Sequence, residues 1–156
     1  MTDVASPARK PRVLVLDDEE KVANAIGRAL AADYDIEIFS RPQAALDRIT
    51  AGERFDVVVC DLVMPEMSGV DFCAAASRLA PAMAERFIFM TGGVPTLRTR
   101  YFLQGTSRPC IEKPFEMDQL RALIVARMAP SDGARLPEPR PRNGGGRGPD
   151  APASSK

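Results

Sequence analysis

Val57-Val58-Val59-Cys60-Asp61 sets four consecutive apolar side chains before a carboxylate. A strand with one wet face alternates apolar and polar residues, so an unbroken apolar run describes a strand covered on both faces. The same pattern recurs upstream in Val13-Leu14-Val15-Leu16, which runs into Asp17-Asp18, and downstream in Phe87-Ile88-Phe89-Met90, which runs into Thr91. Ile36-Glu37-Ile38-Phe39 alternates more, as an edge strand does, and residues 108–112, with Pro109 near the start, form a second edge candidate. Helix-period stretches separate these runs. Val22, Ala25, Ile26, Ala29 and Leu30 mark the first, and Ala44, Ala45, Leu46 and Ile49 follow Pro42 in the second. Ser68 and Asp71 have the spacing of a capping box and open a third helix over residues 68–79. A weaker fourth covers residues 95–104 with a stripe of Leu97, Tyr101 and Phe102, and a fifth covers 116–128 with Leu120, Leu123, Ile124 and Ala126 inward. Five strand–helix alternations predict an α/β fold, a parallel sheet wrapped by helices on both faces.

Composition narrows the function. The chain has 156 residues, 45% hydrophobic and 27% charged, with 21 basic and 21 acidic side chains. A zero balance argues against a protein that coats nucleic acid or an anionic membrane. There is no histidine, which removes Ser-His-Asp and Cys-His catalysis, histidine zinc sites and any phosphohistidine carrier role. Cys60, Cys73 and Cys110 are an odd number without CxxC spacing and sit among apolar neighbours, as expected of a reduced, cytoplasmic compartment. No apolar run approaches the roughly eighteen residues of a membrane span. Residues 130–156 hold six prolines and five glycines and carry a net charge of +2. Such a segment buries too little surface to offset its ordering entropy and is expected to be a disordered tail. Residues 1–11 are expected to be a flexible leader and 12–129 the folded domain.

In sheets of this kind ligands bind beyond the carboxyl ends of the strands. Those ends carry Asp17 and Asp18, then Asp61, Thr91 and Lys113. Each alone suits a cap, a turn or the surface. Together they do not, because carboxylates 4 Å apart repel by about 4 kcal/mol at an effective dielectric of 20. An all-oxygen set free of histidine and thiolate points to Mg2+, held beside Asp61. An ionised carboxylate needs no general base to attack phosphorus, and Lys113 and Thr91 would neutralise the remaining phosphoryl oxygens.

Leu16-Asp17-Asp18-Glu19, the segment from Asp61 to Gly69, Met90-Thr91-Gly92 and Glu112-Lys113-Pro114-Phe115 resemble the receiver domain of two-component response regulators over residues 12–129. The resemblance implies a flavodoxin-like (βα)5 doubly wound fold with strand order 2-1-3-4-5. It implies that Asp61 accepts a phosphoryl group from a histidine kinase or a histidine phosphotransfer protein. It further implies that Asp18, Asp61 and the backbone carbonyl of Val63 bind Mg2+, that Asp17 acts through a water, that Thr91 and Lys113 engage the phosphoryl group, and that the Lys113-Pro114 bond is cis. Family members often carry an aromatic residue where Cys110 stands; a small buried hydrophobe is expected here rather than a redox sensor. Val63 and Gly93 stand where the family often places polar side chains that influence attack by water, so slow self-dephosphorylation is expected. The chain is expected to be a single-domain regulator and not an enzyme with turnover. It would signal through the face of the fourth helix, fifth strand and fifth helix to a partner protein, with no DNA or membrane contact and with phosphorylation-dependent homodimerisation left open. Two alternatives are a phosphorylation-independent scaffold and a Mg2+-dependent aspartyl phosphohydrolase. The latter would want a second Asp where Val63 stands.

Overall fold

The apolar runs become strands because each finds cover on both sides. The computed structural model describes residues 9–93 and 96–128. In chain order these form β1 (Arg12–Leu16), α1 (Glu20–Leu30), β2 (Asp35–Phe39), α2 (Pro42–Thr50), β3 (Val57–Asp61), α3 (Gly69–Leu79), a short 3-10 turn (Pro81–Met83), β4 (Phe87–Thr91), α4 (Leu97–Gly105), β5 (Cys110–Glu112) and α5 (Met117–Met128). All neighbouring strands pair in parallel, in the order β2-β1-β3-β4-β5, which is the flavodoxin-like arrangement expected. The readings of residues 1–8 as leader, of Pro95 as a helical residue and of 130–156 as tail lie outside the described residues.

Successive side chains of the central strands feed two separate cores. Leu14, Leu16, Val58, Cys60, Phe87 and Phe89 pack with Leu46 and Ile49 of α2 and Phe72, Cys73 and Ala76 of α3. Val13, Val15, Val57, Val59, Ile88 and Met90 pack with Ala23, Ile26 and Leu30 of α1 and Leu120 and Ile124 of α5. Each large side chain fully removed from water contributes about 1.5–3 kcal/mol. That is why both faces of the central strands are apolar between Val13 and Leu16, Val57 and Cys60, and Phe87 and Met90. β2 lies at the edge of the sheet, as expected, but Ile38 is exposed and Glu37 half-buried, because Glu37 pairs with Arg12 and Arg48.

Local signals set the helix starts. The Ser68 hydroxyl accepts a hydrogen bond from the Asp71 N–H at 3.1 Å, and Thr96 does the same for Thr99 at 3.1 Å. Pro42 opens α2.

Three expectations fail. In α4, Leu97 and Tyr101 face solvent, 68% and 67% exposed, while Thr99 is buried and Phe102 and Leu103 pack against the α2–α3 core. Residues 99, 102 and 103 also have helical spacing, and the edge-on contact of Phe102 with Phe89, 5.1 Å between ring centroids, selects that face. In α5, Ala126 points outward and Leu123 is half-buried, because β5 spans three residues and offers α5 little sheet to cover. Cys110 is exposed rather than buried, since β5 is an edge strand and only Ile111 turns into the core.

Candidate functional site

The carboxyl ends of β1, β3, β4 and β5 meet at one rim. Asp17 directly follows β1, where its N–H donates to the Phe39 carbonyl, and its side chain is fully buried. Asp61 ends β3 and is 4% exposed. Lys113 follows β5 and is placed by its own N–H, which donates to the Thr91 carbonyl at 2.7 Å. The Lys113-Pro114 peptide is cis, as the resemblance implies. The helix that follows β3 begins against the Asp61 backbone. The Gly69 N–H donates to the Leu62 carbonyl at 2.9 Å, and a Cβ on Gly69 would lie 2.4 Å from the Asp61 carbonyl oxygen. Only glycine fits that approach.

Lys113 Nζ lies 2.9 Å from Asp17 Oδ2, 2.9 Å from Glu19 Oε1 and 3.2 Å from Asp61 Oδ2. It donates hydrogen bonds to Glu19 and Asp61. Toward Asp17 the distance is that of an ion pair, but the angles do not make a hydrogen bond, and Asp17 Oδ2 remains a buried oxygen without a donor. The other Asp17 oxygen accepts the Glu19 N–H at 2.9 Å, and Asp61 Oδ1 accepts the Val63 N–H at 3.3 Å. Burial and the neighbouring Asp17 charge, partly offset by Lys113, push the Asp61 carboxyl up from 3.8 to about 6. Burial alone would lower the Lys113 ammonium, but its carboxylate partners outweigh that and hold it above its ordinary value.

A cavity of about 700 Å3 opens over this group, lined by Asp18, Glu19, Asp61, Val63, Gly92, Gly93 and Lys113 and continued by the apolar side chains of Val22, Ile26, Phe115 and Met117. The structure therefore brings Asp17, Asp61 and Lys113 into contact and sets Asp18 and Val63 around the same cavity. Thr91 is half-buried at the end of β4, and its hydroxyl has no hydrogen bond to the acidic group among the described residues. Glu19 was not legible as a site residue, because an acid beside a helix start has a sufficient explanation in the helix dipole.

Carboxylate oxygens of Asp17, Glu19 and Asp61 lie within 4.8 Å of one another. Asp17 and Asp61 supply the hard oxygens that fit a divalent cation, the donorless Asp17 Oδ2 among them, while the exposed Glu19 carboxylate is held by Lys113 Nζ. Cys60 and Cys73 do not compete for it, because burial raises both thiols above their ordinary values.

Fold and site together define a doubly wound α/β domain with an acidic, lysine-crossed pocket where its strand order reverses. The family model of the response regulator receiver domain matches residues 13–125. The chain belongs to that family. Among curated proteins it is 28% identical over 127 residues to the response regulator MprA of Mycolicibacterium vanbaalenii, covering 79% of this chain and 54% of that one. It is 34% identical over 119 residues to the transcriptional regulatory protein DltR of Streptococcus agalactiae, covering 74% and 51%. The chain thus spans about half the length of these curated relatives. Among solved structures, the receiver domain protein (CheY-like) of Methanospirillum hungatei superposes with a TM-score of 0.71 at 24% identity, covering 81% of this chain and 99% of that one, a likeness of fold. No helix among the described residues is long and apolar enough to cross a membrane.

Proposed function

We propose that this receiver domain takes a phosphoryl group onto Asp61 from the phosphohistidine of a histidine kinase or histidine phosphotransfer protein, in a Mg2+-dependent reaction in the cytoplasm. The observation that carries the reading is the buried Asp61 carboxylate at the end of β3, 3.2 Å from the Lys113 ammonium and open to the cavity. One Asp61 oxygen forms a bond to phosphorus as the phosphorus–nitrogen bond breaks, and the departing imidazole takes a proton from solvent. Lys113 pairs with a phosphoryl oxygen, and Thr91 turns its hydroxyl to another. Asp17, Asp18, Asp61 and the Val63 carbonyl are the groups that would hold Mg2+. Bound there, the ion would neutralise charge on the phosphoryl oxygens.

The chain then acts as a switch rather than an enzyme with turnover. Phosphorylation biases two conformations by as much as a partner distinguishes them. The α4, β5 and α5 region is the proposed surface for a protein contact, supported by the exposed apolar side chains of Leu97 and Tyr101 on α4 and Val125 on α5.

Incubation with Mg2+ and a small acyl phosphate tests this by intact mass. One phosphoryl adduct, absent from Asp61→Asn, is expected. No adduct would leave a phosphorylation-independent scaffold, and continuous phosphate release would make the chain a phosphohydrolase.

A further inference from the structure

Glu19 stands at the N-cap position of α1 but makes no side-chain cap hydrogen bond. Ser, Thr, Asp and Asn serve that position; glutamate does so poorly, and a residue that breaks a local preference without local gain marks a function elsewhere. Here the gain lies 94 residues away, in the hydrogen bond that Lys113 Nζ donates to Glu19 Oε1. The Glu19 backbone is pinned by Asp17 Oδ1, so its side chain is aimed at the ammonium from a fixed point.

Lys113 has three N–H groups and faces three carboxylates. A phosphoryl group on Asp61 brings further anionic oxygens to the same ammonium, and a carboxylate has to give way. Asp17 has no exposed side-chain surface, and Asp61 carries the group itself. The Glu19 side chain is 60% exposed and can swing into solvent with little desolvation to reverse.

We propose that Glu19 is a positioning residue that holds Lys113 in the unphosphorylated state and competes for it with the phosphoryl group, which displaces the Glu19 carboxylate when Asp61 is modified. This rests on Asp61 being the phosphoacceptor. Glu19 thereby sets how readily the domain is switched: the tighter its hold on the ammonium, the weaker the phosphoryl contact that replaces it.

The test titrates the full chain with beryllofluoride in saturating Mg2+, an unreactive mimic of a phosphoryl group on a carboxylate, and reads the bound species by fluorine NMR. Glu19→Gln is expected to bind it about fivefold more tightly than the unaltered chain, the upper range for release of an exposed ion pair. Combined with Lys113→Met, the gain is expected to vanish, which a general effect of negative charge would not do. Glu20→Gln, which removes the same charge one residue away, is expected to give less than half the gain. Calorimetry gives the Mg2+ affinity of each variant, so that beryllofluoride is titrated at true Mg2+ saturation, and Glu19→Gln is expected to lose less than the roughly tenfold that removal of a group holding the cation or its ligands brings. Unchanged or weakened beryllofluoride binding in Glu19→Gln, or the same gain in the Lys113→Met background, overturns the proposal. So does a tenfold loss of Mg2+ affinity, which would make Glu19 part of the cation site. If the unaltered chain takes up Mg2+ but no beryllofluoride, the phosphoacceptor reading itself fails and the proposal falls with it.

Discussion

In the absence of a divalent cation, replacing Asp61 by Asn is expected to stabilise the protein at alkaline pH, although it removes the group proposed to do the chemistry. The reason is the shift of the Asp61 carboxyl from 3.8 to about 6, caused first by burial and then by the adjacent Asp17 charge. The folded state holds the Asp61 proton more tightly than the unfolded chain does. Ionised Asp61 therefore opposes folding: the penalty is absent below about pH 4, grows between pH 4 and 6, and is complete above that. At 1.36 kcal/mol per pH unit the shift corresponds to about 3 kcal/mol. The open cavity above the carboxylate screens part of that, leaving about 2 kcal/mol. Asparagine keeps the shape and can still accept from Lys113, so a midpoint about 8 °C higher is expected for Asp61→Asn at pH 8 in chelator. Urea denaturation of both proteins at pH 5, 6, 7 and 8 provides the measurement, with other titrating groups cancelling in the difference. The gap should shrink steadily toward pH 5. Adding Mg2+ at a hundred times its dissociation constant should restore about 2.7 kcal/mol to the unaltered protein and close or invert the order. A gap that does not change with pH, or an Asn variant that is less stable at pH 8, refutes the electrostatic account.

Three further outcomes follow from the geometry. Gly69→Ala drives a Cβ to 2.4 Å from the Asp61 carbonyl oxygen, and chemical denaturation should report a loss of about 3 kcal/mol together with reduced phosphoryl uptake. Glu66→Gly removes a non-glycine residue at φ 75 from the β3–α3 loop; thermal unfolding should show a gain of about 0.5–1 kcal/mol, since the exposed pair with Arg41 that is lost contributes little. The phosphoryl group on Asp61 should decay over minutes in buffer, because Val63 offers only an apolar side chain and Gly93 none to orient a water; decay within seconds in a phosphate-release assay would contradict this.

Sequence carries the sheet clearly and the site partly, for physical reasons. Val57 to Cys60 could only be covered on both faces, and the carboxylates at strand ends had only one rim to occupy. The inner face of α4 was not legible, because Leu97 with Tyr101 and Thr99 with Phe102 and Leu103 both have helical spacing, and the choice between them depends on where Phe89 lies. Cys110 misled for a related reason. On a three-residue edge strand a single side chain faces the core, and which one depends on register with β4 rather than on hydrophobicity. Glu19 was hidden by its neighbours, since its partner Lys113 is distant in sequence and an acid at a helix start already has a local explanation.

The contact at Gly69 has a mechanical consequence. With backbone against backbone on that side, a disturbance at the end of β3 reaches α3 without lost motion, as a rod does when it bears on a stop. On the opposite side of the pocket, among the described residues, a Cβ on Gly93 would meet nothing within 4 Å, and one on Gly92 would touch the Lys113 stem. Compliance is therefore one-sided. Displacement that begins at Asp61 meets a wall toward α3 and open space beside Gly93 among the described residues.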